Sequence, residues 1–137
     1  MRALLAALAL CLAALAGSEA RAHALEPGYL ELSALGGDRW RATWRAPDVS
    51  GRPMPIEAAL PETCAPRRPP EPRFDGRAWA SSWIAECPGG LAGGRIAIDG
   101  LENTRTDALV RYEIEAGRAE AMRLTPGAPA FIVPTAP

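Results

Sequence analysis

"GYLELSALGGDRWRATWRAP", residues 28–47, decides the fold of this chain. Leu30, Leu32 and Ala34 alternate with Tyr29, Glu31 and Ser33; Trp40, Ala42 and Trp44 alternate with Arg39, Arg41, Thr43 and Arg45. A period of two sends each apolar set to one face of an extended strand and leaves the other face to water. Between the two runs, Gly36-Gly37-Asp38 supplies the turn residues that a tight hairpin requires. The stretch therefore predicts an antiparallel hairpin with one buried face.

The same alternation continues downstream. "MPIEAALPETC" reads as a third strand between prolines, and "RAWASSWIAEC" places Trp79, Ser81, Trp83, Ala85 and Cys87 on one face. "GRIAIDG" turns Ile96 and Ile98 inward, with Gly89, Gly90, Gly93 and Gly94 as punctuation before it. "TDALVRYEIEAG" alternates Ala108, Val110, Tyr112 and Ile114 against Leu109, Arg111, Glu113 and Glu115, and "RAEAMRLTPG" and "PAFIVP" complete the chain. Thr104 and Thr106 suit a strand edge, and Asp107 suits a turn cap. Turn signals recur about every 8–12 residues and no amphipathic helix interrupts them. The expectation is an all-β chain, an antiparallel, Ig-like β-sandwich of about seven or eight strands, with a small barrel as the alternative. All four tryptophans are assigned to its core.

One stretch breaks the pattern. "APRRPPEPRFDG", residues 65–76, holds too many prolines for a central strand and reads as an exposed loop of polyproline character. Arg67 and Arg68 are expected to be solvated there, and the loop is a candidate contact surface because it is exposed and irregular.

Upstream of the sandwich, Met1-Arg2 precedes "ALLAALALCLAALA", residues 3–16, an uncharged run too short to span a bilayer. With a basic residue before it and small residues after it, the run reads as the core of a secretory signal peptide. Small-x-small cleavage sites follow Ala20, Ala22 and Ala24, and the cut is placed after Ala22. Residues 1–22 are thus the leader and residues 23–137 a single β-sandwich domain, periplasmic or secreted. Cys11 lies inside the apolar run behind Leu10, which is no lipoprotein signature, and leaves with the leader.

Cys64 and Cys87 remain, and an exported chain with an even cysteine count is expected to oxidise them to a disulfide. Net charge is −1 for the whole chain; loss of Arg2, Glu19 and Arg21 makes it −2. There is no lysine, and the arginines alternate with acids and apolar residues, so no nucleic-acid footprint is present.

Catalytic patterns are absent from the domain body. A Ser-His-Asp or Cys-His site needs a histidine there, and the sole histidine is His23. Glu113 and Glu115 read as a solvated strand face, and "PGGLAGG" as a turn that lacks the lysine of a phosphate loop. The chain is therefore read as a non-enzyme with no resident cofactor.

His23 carries the one metal-binding possibility. A cut after Ala20 would expose Arg21-Ala22-His23, whose amine, two amides and imidazole form a square-planar site for Ni(II) or Cu(II). A cut after Ala22 makes His23 the terminal residue and a weak chelator; a cut after Ala24 removes it.

The motifs "AHALEPGYLEL", "LPETC", "GLENTRTDALVRYE" (residues 100–113) and "LTPGAPAFIVP" together resemble the extracytoplasmic N-terminal domain of HupE/UreJ-like membrane proteins. The likeness runs from Ala22 to Pro134. The resemblance implies an accessory role beside a multi-span permease for nickel or another metal. It transfers no catalytic or ligand residues. In that family membrane spans follow the domain, whereas this sequence ends at "FIVPTAP". The permease is therefore expected as a separate partner, or the frame is truncated. A purely structural interaction sandwich is the remaining alternative.

Overall fold

The computed structural model describes residues 1–19 and 26–135. Helix α1 (Arg2–Glu19) precedes strands β1 (Gly28–Gly36), β2 (Arg39–Val49), β3 (Arg52–Pro53), β4 (Glu57–Ala59) and β5 (Arg73–Phe74). Then come β6 (Ala78–Glu86), β7 (Arg95–Asp99), β8 (Ala108–Glu115), β9 (Arg118–Leu124) and β10 (Ala130–Ile132). The strands form two sheets, one of seven strands in the order β5-β6-β2-β1-β8-β9 with β3 on β2, and one of three in the order β10-β7-β4. The all-β sandwich is as expected, with ten strands in place of seven or eight.

The hairpin of residues 28–47 is its centre. Leu30 pairs with Trp44, Leu32 with Ala42 and Ala34 with Trp40, so the two apolar sets share one face. Gly36, Gly37 and Asp38 all take positive φ, which closes the turn at little steric cost because two of the three lack a Cβ. Leu30, Leu32 and Ala42 are fully buried, and Ile96, Ile98, Leu60, Leu101 and Val110 belong to the same apolar cluster. Each fully buried aliphatic side chain contributes about 1.5–3 kcal/mol relative to exposure.

Several expectations are corrected. The large sheet is not wholly antiparallel, because β1 pairs with β8 in parallel, Leu30 beside Val110 and Leu32 beside Tyr112. The chain passes through β4 and β7 of the other sheet between these two strands, and such a crossover allows a parallel neighbour. Trp40 and Trp44 are core, but Trp79 and Trp83 are only half buried. Both lie on β6 toward the edge of the wide sheet, and their indoles donate to Asp48 Oδ1 (2.9 Å) and the Pro66 carbonyl (3.0 Å). The third strand contracts to Glu57–Ala59 because Pro55 and Pro61 flank it.

Thr104 and Thr106 belong to no strand; they follow a 3-10 turn (Leu101–Asn103). Thr106 is buried, its hydroxyl donating to the Glu26 carbonyl. Asp107 pairs with Arg123 instead of capping. Glu115 is exposed as expected, while Glu113 is half-buried and its carboxylate accepts from the Ala34 and Gly117 amides at 3.1 and 2.8 Å. A register shift follows it, between Glu113 and Glu115.

β9 is a free edge, and Glu120 lies opposite Tyr112 on its core-facing side. A charge there opposes pairing of another strand on this edge. In α1, Leu4, Leu5, Leu8, Leu10 and Leu12 are all exposed, as is Cys11. No helix among the described residues is long and apolar enough to cross a membrane.

Candidate functional site

Cys64 and Cys87 are joined by a disulfide and both are buried. Ala65 and Glu86, the adjacent residues, exchange both backbone hydrogen bonds at 2.8 and 2.9 Å, and the Cys87 amide donates to the Asp38 carbonyl of the central hairpin turn. The start of the proline-rich loop is thus fixed covalently and by hydrogen bonds to the end of β6.

Beyond that anchor the loop runs along the side of the sandwich and is held at successive points. The Leu60 amide donates to the Arg67 carbonyl (3.0 Å), and Arg67 Nε returns a bond to the Leu60 carbonyl (2.7 Å). Ser81 is buried, and its hydroxyl donates to the Pro70 carbonyl (2.8 Å). Asp75 closes the far end, accepting from the Arg77 and Ala78 amides and pairing with Arg45. Those two amide bonds first, and the Arg45 guanidinium after them, hold its carboxyl below the usual range.

The loop forms one wall of an open groove of about 540 Å³. Pro69, Pro70 and Pro72 lie on this side, and Pro53 and Pro55 also line it. Trp44, Met54 and Ile56, all nearly buried, supply its apolar lining. Gly100 shapes one end: its φ is +88°, and a Cβ there would meet the Pro55 carbonyl oxygen at 2.3 Å. Proline rings fix φ, so these walls are stiff before anything binds.

Charge gathers at the rim. Glu57 and Asp99 are register partners on β4 and β7. Like charges directly opposite on neighbouring strands repel. Arg68 lies between them, its Nη1 3.2 Å from Glu57 Oε1 and 2.7 Å from Asp99 Oδ2. The bonds to Asp99 and then Glu57 push the guanidinium further above its usual range. Arg68 stays exposed, as the sequence predicts, and ties the loop to the smaller sheet; Arg67 is half-buried and bonds the Leu60 carbonyl just past β4. Glu71 also lines the groove and makes no ion pair among the described residues.

His23 lies outside the described residues. No group of three or more His, Cys, Asp or Glu placed to hold a metal occurs among the described residues. Sequence reasoning singled out the 65–76 loop as a contact surface but missed the groove behind it. Trp44, Met54, Ser81 and Asp99 are far apart in sequence and only the sandwich brings them together. The one legible signal was the recurrence of proline on both sides, at 53, 55, 69, 70 and 72. No protein-family model matches the chain, and neither a curated protein nor a solved structure matches it.

Proposed function

We propose that this chain is an exported accessory domain that works by binding, in the periplasm beside a HupE/UreJ-like permease, and performs no catalysis. The observation that carries the binding part is the stiff, proline-walled groove, anchored by a buried disulfide and lined by apolar side chains under a charged rim. Such a concave, largely apolar site with a few placed charges is the usual form of a binding site. The bonded cysteine pair is compatible with an oxidising compartment. The exposed leucines of α1 suit a detachable leader. The permease partnership rests on the resemblance of "GLENTRTDALVRYE" and the "LTPGAPAFIVP" ending to that family.

The test is expression of the full chain with a C-terminal tag in a bacterium that has a periplasm, followed by fractionation and crosslinking. The expected result is periplasmic protein lacking its leader and crosslinked to a multi-span membrane protein. Protein retained in the cytosol with Met1 intact would overturn the export reading. Periplasmic protein with no membrane partner would overturn the accessory reading.

A further inference from the structure

The groove has a surplus of hydrogen-bond acceptors. Five of its lining residues are prolines, which carry carbonyls but no N–H. The Met54 and Ile56 amides are engaged by the Pro47 and Met54 carbonyls, and the Ser81 hydroxyl by Pro70. Three carboxylates (Glu57, Glu71 and Asp99) and a single guanidinium, Arg68, line the groove. Arg68 engages one oxygen of Glu57 and one of Asp99, which leaves a second oxygen on each. Glu71 has no cation among the described residues.

A ligand matched to this groove is a donor, is cationic, and carries apolar surface for the proline rings and for Met54 and Ile56. An anion would meet a formal excess of two negative charges. A plain metal ion would leave the apolar lining unfilled.

We infer that the groove binds a peptide segment presenting an arginine next to a large apolar residue. A guanidinium is planar and offers several N–H groups in a fixed fork, which suits carboxylates fixed on neighbouring strands better than a point charge does. Its three-carbon stem lies well against proline rings. A volume of about 540 Å³ is in the usual range for a ligand site and accommodates a side-chain pair. The stiff walls lose little conformational freedom on binding, which favours even a short peptide. This inference rests on the groove being the working face of the proposed binding domain.

The test is titration of the whole ¹⁵N-labelled chain with acetyl-Leu-Arg-amide, acetyl-Leu-Gln-amide and acetyl-Leu-Glu-amide, followed by NMR. The arginyl peptide is expected to bind at least tenfold more tightly than the glutamyl one, with the glutaminyl peptide between them. The largest shifts are expected at Arg68, Glu71, Ser81, Asp99 and Gly100. Glu71→Gln should weaken the arginyl peptide severalfold at unchanged melting temperature, since that carboxylate holds no ion pair in the fold. A Glu71→Gln/Asp99→Asn double variant should weaken it about tenfold or more. Equal affinity for the three peptides, shifts confined to other surfaces, or full affinity in Glu71→Gln would each overturn the inference. The accessory reading fails separately, if the periplasmic protein binds the arginyl peptide in the groove yet crosslinks to no membrane protein.

Discussion

Reducing the Cys64–Cys87 bond should lower stability by an amount that the chain itself sets. The cysteines are 23 positions apart, and closing a loop of that length in the unfolded chain corresponds to about 3 kcal/mol at 25 °C. Reduction, unlike substitution, removes no atoms from the core, so no cavity adds to this figure. For a domain of roughly 110 residues (Glu26–Thr135), such a loss lowers Tm by about 12–15 °C. The loss should also be uneven. The Ala65 and Glu86 amides bond each other's carbonyls beside the disulfide, and the Leu60 amide bonds Arg67 within the loop. Their hydrogen exchange should accelerate more than that of Leu32 or Ala42 in the central hairpin. Calorimetry with and without dithiothreitol gives the first quantity, and exchange NMR the second. A Tm shift below about 3 °C, or uniform acceleration of exchange, would refute the idea that this bond anchors the groove wall. Mass spectrometry showing two free thiols in protein from an oxidising compartment would remove its premise.

Other outcomes follow from single residues. Gly100→Ala should destabilise the fold by at least about 2 kcal/mol in urea unfolding, since φ is +88° and the new Cβ would be 2.3 Å from the Pro55 carbonyl oxygen. An unaffected midpoint would mean that the turn can move away. The Asp75 carboxyl is lowered in the folded state, so its stabilisation is present above the ordinary Asp value of about 3.9 and is lost as pH falls through the lowered folded value. The stability gap between the native protein and Asp75→Ala should therefore be full at neutral pH and should narrow only under strong acid, as followed by thermal melts across pH. N-terminal sequencing of exported protein should begin at His23, which leaves only weak chelation of Ni(II) or Cu(II). A start at Arg21 would create the four-nitrogen site instead, and a start at Leu25 would remove the histidine.

What the sequence determined by itself was whatever local periodicity controls. The 28–47 hairpin, its buried Leu30, Leu32, Trp40, Ala42 and Trp44, and the inward phase of β8 were all legible, because a period of two needs no knowledge of distant partners. The proline count marked the loop as irregular, but of residues 65–76 the last part departs from that reading: Arg73 and Phe74 form β5 and pair with Ala80 and Trp79 of β6. Tertiary structure decided the rest. Alternation gives the face of Trp79 and Trp83 but not how much of it is covered, and a three-stranded sheet cannot cover the whole of a seven-stranded one. The parallel pairing of β1 with β8 joins residues about 80 positions apart, and no local pattern encodes that choice of neighbour. The same holds for Arg68, a loop charge that is exposed in the structure as the sequence predicts. It becomes a bridge only because β4 and β7 place Glu57 opposite Asp99. The groove exists for this reason, since its charges and its walls come from separate strands and loops that meet only when the two sheets pack.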